Sequence, residues 1–328
     1  MSRTTLADVA AEAGVSVALV SIVMRGAPGA GAATRERVLA VAKRLDYRPD
    51  TRARLLRSGR SQLLGVTFDV RHPFHVDVLT GLYDAAGRAG YQLTLSAITP
   101  RRDERTAVAE LLDDRCEAFL LLTPRMSASG LASLAEQRPV VAMMRNVRRA
   151  GVDVVRTDET LGSHQAVDHL VGLGHRRIAH VDGGALHESV ERRRGYQEAM
   201  RRHGLADLVR IIPGGSGEED GARAAEVLIG DPPTAVTVFN DLAATGLLAV
   251  VRGRGRAVPG ELSVVGYDDS SFSRLAHLGL TTIAQDIGAM ATHAVTRAVD
   301  RIEGEPVAER EIVVAPRLVV RDTTAAPG

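Results

Sequence analysis

The chain runs to 328 residues, 45% of them hydrophobic, with a formal net charge of +1 and a single cysteine, Cys116. That length divides into several domains rather than one. The lone cysteine excludes an intramolecular disulfide and a cysteine-based zinc site and fits a reducing cytoplasm, and no apolar run reaches the ~20 residues needed to cross a bilayer. The near-zero charge conceals an asymmetry. Residues 1–60 hold 11 Lys/Arg against 5 Asp/Glu, a net of +6, and the remainder holds 30 against 35, a net of −5. A basic head on an acidic body points to an anionic partner for the head.

Leu6, Val9, Ala10 and Ala13 recur at helical spacing, Gly14 supplies a left-handed turn, and Ser16 is placed to cap a second helix holding Val20 and Val23. Thr34 can cap a third helix whose Val38, Val41, Ala42 and Leu45 form one apolar stripe, ended by Tyr47, Arg48 and Pro49. Asp50 can cap a short segment carrying Arg52, Arg54, Arg57 and Arg60 around Ala53, Leu55 and Leu56, at once basic and apolar. Apolar spacing around a glycine is common in unrelated helical hairpins, so the turn alone fixes no function. The same stretch also imitates a secretory signal, with Arg3, then apolar residues 13–24, then small residues 26–33. Asp8 and Glu12 oppose that reading by placing negative charge where a signal needs positive.

From residue 62 the chain alternates short apolar runs with amphipathic stretches. The spacing predicts strands over 63–70, 92–97, 118–123, 140–144, 154–157, 178–182, 209–213, 235–240, 262–268 and 281–285, with helices between them, including 75–89, 162–172 and 189–203. Such alternation gives an α/β fold of doubly wound parallel sheets. Ten strands are many for one sheet, so two lobes are expected, with the polar stretch 156–160 as a crossing point. Ligands of open parallel sheets bind beyond the carboxyl ends of the strands, which selects Asp69, Thr123, Met144, Asp182, Asn240 and Asp268.

The run Thr5-Leu-Ala-Asp-Val-Ala-Ala-Glu-Ala-Gly-Val-Ser16, followed by Val20-Ser21, Thr34-Arg-Glu-Arg-Val38, Leu45-Asp-Tyr-Arg-Pro49 and Ala53-Arg-Leu-Leu56, resembles the helix-turn-helix headpiece of the lactose-repressor (LacI/GalR) family. The resemblance implies a second helix in the major groove, with Val17, Ala18, Ser21 and Ile22 toward the bases and Thr5, Ser16, Thr34 and Tyr47 at the DNA. It also implies paired hinge helices that present Ala53, Arg54 and Arg57 and insert Leu56 into the minor groove. The physics is consistent: arginines neutralise phosphates, and an apolar wedge exchanges stacking for a bend that brings more protein into contact. Where the family usually has polar groups, often arginine at the position of Ile22, this helix has few hydrogen-bonding side chains.

The motifs His169-Leu-Val-Gly-Leu-Gly-His175-Arg-Arg-Ile178, Arg192-Arg-Arg-Gly-Tyr196, Phe239-Asn-Asp241, Val264-Val-Gly-Tyr-Asp-Asp269, Leu280-Thr-Thr-Ile283 and Leu318-Val-Val-Arg321 are similar to that family's core, which shares its two-lobed architecture with periplasmic sugar-binding proteins. The implied division is a headpiece over 1–49, a hinge and linker over 50–61, and an effector-binding and dimerisation core over 62–328. Its first lobe covers about 62–157 and 287–316, its second about 158–286 and 317–328. The implied effector contacts are Arg192, Asn240, Asp268 and Gln285, with Phe74 as an apolar wall and Thr123 and Met144 at neighbouring strand ends. Arginine forks, carboxylates and amides suit a hydroxyl-rich ligand. Read without the resemblance, Asn240 could equally be a helix cap and Arg192 a solvated charge. Met144 stands where many sugar-responsive members carry aspartate, and Ser216 near where many place an aromatic.

The expected protein is a cytoplasmic, nucleoid-associated homodimer on a roughly palindromic operator, controlled by a sugar-like effector, without cofactor, metal or membrane partner. The sequence holds no phosphate-binding glycine loop, His-Glu-x-x-His or Gly-x-Ser-x-Gly motif, so no enzyme is expected. His72, His75 and Asp77 fit a solvated loop better than a metal site. The rival is a secreted sugar-binding protein, against which the basic, leucine-bearing segment within 34–60 speaks.

Overall fold

The computed structural model of the chain describes residues 4–24, 26–47, 60–148 and 151–328. They fall into two units, Met1–Ser61 and Gln62–Gly328. In the first, Thr5 starts helix α1 (Leu6–Ala13): its hydroxyl accepts from the Asp8 amide at 3.3 Å, and the Asp8 carboxylate accepts from the Thr5 amide at 2.8 Å. This reciprocal cap satisfies two amides that the helix itself cannot. Gly14 closes α1 at a φ of 63°, and Ser16 Oγ accepts from the Leu19 amide at 3.2 Å to start α2 (Val17–Met24). Thr34 does not cap the third helix as expected. Helix α3 spans Ala32–Arg44 with Gly31 as its N-cap, because Ala32 and Ala33, both strong helix formers, carry the helix past Thr34.

Val9, Val20 and Val38 are wholly buried at the centre of these three helices. The axes of α1 and α2 are bent 105° apart, and among the described residues no single helix is long and apolar enough to cross a membrane. Of the apolar run that imitates a signal, Ala13 ends α1 and residues 17–24 form α2, with Val20 and Val23 buried in this core. Of the expected hinge, residues 50–59, including Ala53, Arg54, Leu56 and Arg57, lie outside the described residues.

The second unit carries two six-stranded sheets. The first is built from β1 (Leu63–Asp69), β2 (Gln92–Ile98), β3 (Ala118–Leu122), β4 (Val140–Met143), β5 (Val152–Thr157) and β11 (Glu311–Val314), in the order β11-β5-β4-β3-β1-β2. The second is built from β6 (Ile178–Val181), β7 (Arg210–Ile212), β8 (Ala235–Val238), β9 (Ser263–Asp268), β10 (Thr281–Ala284) and β12 (Arg317–Val319), in the order β12-β10-β9-β8-β6-β7. Both centres are parallel, with β1 paired to β3 from Leu64 opposite Ala118 and β8 to β9 from Ala235 opposite Ser263. The last strand differs: β11 joins β5 in parallel, whereas β12 runs antiparallel to β10.

All ten expected strands are present, mostly a residue or two shorter at their ends. β11 and β12 were not expected. They are edge strands of four and three residues with partly exposed side chains, too short and too mixed to give an apolar run. The chain crosses between sheets after Thr157, between Ala284 and Ile287, and between Val314 and Arg317.

Helices cover both faces of each sheet. Those that matter for the site are α4 (Pro73–Arg88), α5 (Glu104–Asp113) and α6 (Ala128–Ala135) in the first lobe, and α7 (Glu159–Gly172), α8 (His187–Arg202), α9 (Glu218–Gly230) and α10 (Asp241–Gly253) in the second; α11 (Ile287–Glu303) returns the chain to the first. Gly195 decides how close α8 can lie to α7: a Cβ there would sit 2.8 Å from the Thr160 carbonyl oxygen and from Ser163. That close approach brings Arg192 onto the first turn of α7.

Candidate functional site

The carboxyl ends of both sheets and the first turns of α4 and α8 converge on one cavity of about 50 Å³. Phe74, Thr123, Met144, Arg192, Asn240, Asp268 and Gln285 all line it. Three of these seven hold positive φ without being glycine: Thr123 at 41°, Met144 at 59° and Asp268 at 113°. Each such conformation costs on the order of 1–3 kcal/mol, and such strain collects at functional sites. Asp69 and Asp182 also stand at strand ends but turn into their own lobes. Asp69 pairs with Arg71 at 2.6 Å, and Asp182 with Arg193 at 2.5 Å.

Arg192 is only 4% exposed, so it is not a solvated charge. Its Nε donates to Glu159 Oε2 at 2.7 Å and its Nη1 to the Phe239 carbonyl at 2.5 Å, while the guanidinium lies 3.6 Å from the Tyr267 ring centre. Nη2 stands 3.6 Å from Asp268 Oδ1. Burial works against the charge, but the Glu159 and Asp268 carboxylates outweigh it and keep the guanidinium firmly protonated. The fork is therefore held in place by protein groups, and Nη2 is what remains for a ligand.

Asp268 Oδ1 accepts from Gln285 Nε2 at 2.8 Å, and Gln285 Oε1 accepts from Thr157 Oγ1 at 2.6 Å. A polar chain thus runs Thr157, Gln285, Asp268, Arg192, Glu159, from the end of β5 in one sheet to the start of α7 beneath the other. Burial pushes the Asp268 carboxyl well above the usual range, Arg192 opposes it, and the neighbouring Asp241 adds to the rise. Asn240 has both ends of its amide committed: Oδ1 accepts from the Ala243 amide at 2.8 Å as the cap of α10, and Nδ2 donates to the Ser216 carbonyl at 3.0 Å.

Across the cavity the chemistry is quieter. His75 Nδ1 accepts from the Asp69 amide at 3.1 Å, so the ring proton is on Nε2, which donates to Thr123 Oγ1 at 3.1 Å. Burial pushes His75 down to about 3, so the ring is neutral at any physiological pH. Thr123 is left with a hydroxyl proton to donate. Asp77 accepts from the Ser271 amide at 3.1 Å, a bond between lobes.

Glu188, Glu159 and Phe239 belong to this site and were not expected from the sequence. Glu188 precedes Arg192 by one helical turn, a spacing that puts both on one face and could have marked it. Burial pushes its carboxyl up to about 7.

In the first unit, α2 shows Val17 half-exposed and Ala18 exposed, with Ser21 and Ile22 half-buried. A side chain at Gly29 would meet Ile22 Cγ2 at 3.7 Å, so the glycine loop covers part of that residue. Arg35 pins the loop through the Ala27 carbonyl at 2.7 Å. Thr5 and Ser16 serve as caps, and Thr34 and Tyr47 are half-buried.

Residues 5–50 match the model of bacterial regulatory proteins of the lacI family, and residues 167–324 match that of a periplasmic binding protein-like domain. The transcriptional regulator GalR of Escherichia coli is 31% identical over 98% of this chain and 96% of its own length. Among solved structures, a LacI transcriptional regulator from a Rhodococcus species is 44% identical over 80% of this chain and 98% of that one, at a TM-score of 0.78. The lac repressor dimer bound to operator and the anti-inducer ONPF covers 99% of this chain and all of its own at a TM-score of 0.84, with 26% identity. The chain belongs to the lacI family of bacterial regulatory proteins.

Proposed function

We propose that this DNA-binding regulator works in the cytoplasm and holds a hydroxyl-rich small molecule, a sugar or close relative, between its lobes, and that the bound molecule sets its affinity for an operator. The observation that carries the reading is the polar chain from Thr157 to Glu159, which joins the two sheets at the cavity and offers Arg192 Nη2 and Asp268 beside the apolar Phe74. Adjacent donors and acceptors of this kind match neighbouring hydroxyls, and the apolar wall matches the C–H face of a ring. The cleft is read as a site of binding without turnover, with Asp268 engaged by Arg192 and Gln285.

The cavity is lined from both lobes, so an effector held in it touches both and its affinity depends on how far they close. A ligand that binds one degree of closure better than the other shifts the balance between them by that difference. The dimer carries two headpieces to two half-sites, α2 to the major groove and Leu56 to the minor groove.

Operators selected from a random duplex pool, with and without a sugar panel, test this. At least one sugar should change operator affinity tenfold or more, and Thr123→Val should weaken that sugar's effect. Operator affinity that no sugar moves contradicts the reading.

A further inference from the structure

Next to the cleft, and sharing Met144 and Glu188 with it, lies a second and roomier cavity of about 230 Å³. We propose that it is a second ligand compartment, which takes a neutral, hydroxyl-bearing extension of the effector such as a second sugar ring; this rests on the reading of the cleft as a sugar site.

Its walls come from both lobes: Arg145, Asn146 and Arg156 from the first, and His187, Glu188 and Glu191 from the second. Most charges in it are already matched. Arg156 pairs with Glu191 at 3.2 Å and with Glu311 at 2.5 Å, and Glu159 holds Arg192. Burial and the nearby Arg145 hold the His187 imidazole below its ordinary pKa.

Two groups are left over. Arg145 is 8% exposed, and its Nη1 donates to the carbonyls of Pro124 and Met126 at 2.6 Å, but its buried Nε has no partner. Among the described residues, the carboxylate of Glu188 receives a hydrogen bond only from its own amide. A spare donor beside a carboxyl that burial inclines to keep its proton, and that can then donate as well as accept, calls for a group that both donates and accepts. A hydroxyl does so, whereas an ammonium or a phosphate would strand one of the two.

The cavity also contains the bond that ties the lobes on this side. Glu191 accepts from Asn146 Nδ2 and from Arg156 Nη1, both at 3.2 Å. A ligand reaching this far touches the lobe contact directly, so length as well as headgroup would decide which sugars regulate.

The test is calorimetric titration of the full chain with a panel of monosaccharides and the disaccharides built from them. At least one disaccharide should bind ten times more tightly than either of its components. Val190→Trp, placed on the cavity wall, should remove that advantage while leaving monosaccharide affinity within twofold. Should Val190→Trp fail to fold by circular dichroism, Glu188→Gln should cut disaccharide affinity at least threefold and monosaccharide affinity less. Monosaccharides that bind as tightly as every disaccharide, or a disaccharide advantage that survives the substitution, overturn the second compartment and leave the sugar site intact. A panel in which nothing binds overturns both.

Discussion

The two lobes share one strand order, yet they furnish the cleft differently. The first brings Phe74, Met144, a neutral His75 and the hydroxyl of Thr123, whereas the second brings Arg192, Glu188, Asp268 and Gln285, with Asp241 buried behind them. The charged and amide groups of the cleft therefore come from the second lobe, and the first supplies mainly an apolar cover. The lobes also differ in how their sheets close. The first ends in a parallel strand and the second in an antiparallel one, because the chain leaves β11 at the cleft and runs on, two residues later, into β12 from the carboxyl end of the second sheet.

This asymmetry predicts a ranking. The largest effect should come from Arg192→Ala, which strands Glu159 and Asp268 in the interior of the second lobe. Breaking a buried pair of this kind typically costs about 3–5 kcal/mol, to be read from urea unfolding. A loss under about 1 kcal/mol would show that the carboxylates are satisfied without it. A buried arginine that holds two acids supports the fold as well as offering Nη2 to the cavity.

Glu188→Gln should have the opposite sign. The Glu188 carboxyl is raised to about 7 from an ordinary value near 4.5, so the folded chain holds a proton that the unfolded chain releases between those values. That contribution is complete below pH 4.5 and is lost as pH rises to 7. The glutamine variant does not titrate, and should therefore be more stable than the parent by ~2 kcal/mol at pH 8 and nearly equal to it at pH 4.5. Equal stability at both pH values would place the carboxylate in water.

In the first lobe the effects should be smaller. His75 is depressed to about 3 from 6.5, so its contribution is complete above pH 6.5 and is lost as pH falls from there toward 3. Stability of the parent should decline over that window, and His75→Gln should flatten the decline. A decline unchanged in the variant would assign it to other groups. Thr123→Val, which removes one hydroxyl, should cost about 1 kcal/mol of stability. A loss larger than that of Arg192→Ala would reverse the ranking and the comparison behind it.

The strands β1 to β10 were legible because most are apolar runs bounded by polar turns, and the strand-end rule led to Thr123, Met144, Asn240 and Asp268. Arg192, Gln285 and Phe74 came from the family resemblance. β11 and β12 were not legible, since neither strand buries a side chain fully, whereas the equally short edge strand β7 buries Ile212. Asn240 shows a different limit. Its type and place announce both a polar group at the cleft and a helix cap, and the cap is there on the Ala243 amide, but the bond to the Ser216 carbonyl depends on backbone positions that no local pattern encodes. Glu188 and Glu159 were passed over for a related reason: they read as ordinary acidic first turns, and only the close approach of α7 and α8 at Gly195 buries them beside Arg192.

The central claim is that occupancy of the cleft and affinity for DNA are one coupled equilibrium. Linkage demands that the factor by which an effector changes operator affinity equal the factor by which operator changes effector affinity. Both can be measured on the full chain, operator affinity by fluorescence anisotropy at zero and saturating effector, effector affinity by calorimetry with and without saturating operator. The account predicts two equal factors of at least ten. An effector that binds with the same affinity whether or not operator is present would contradict it.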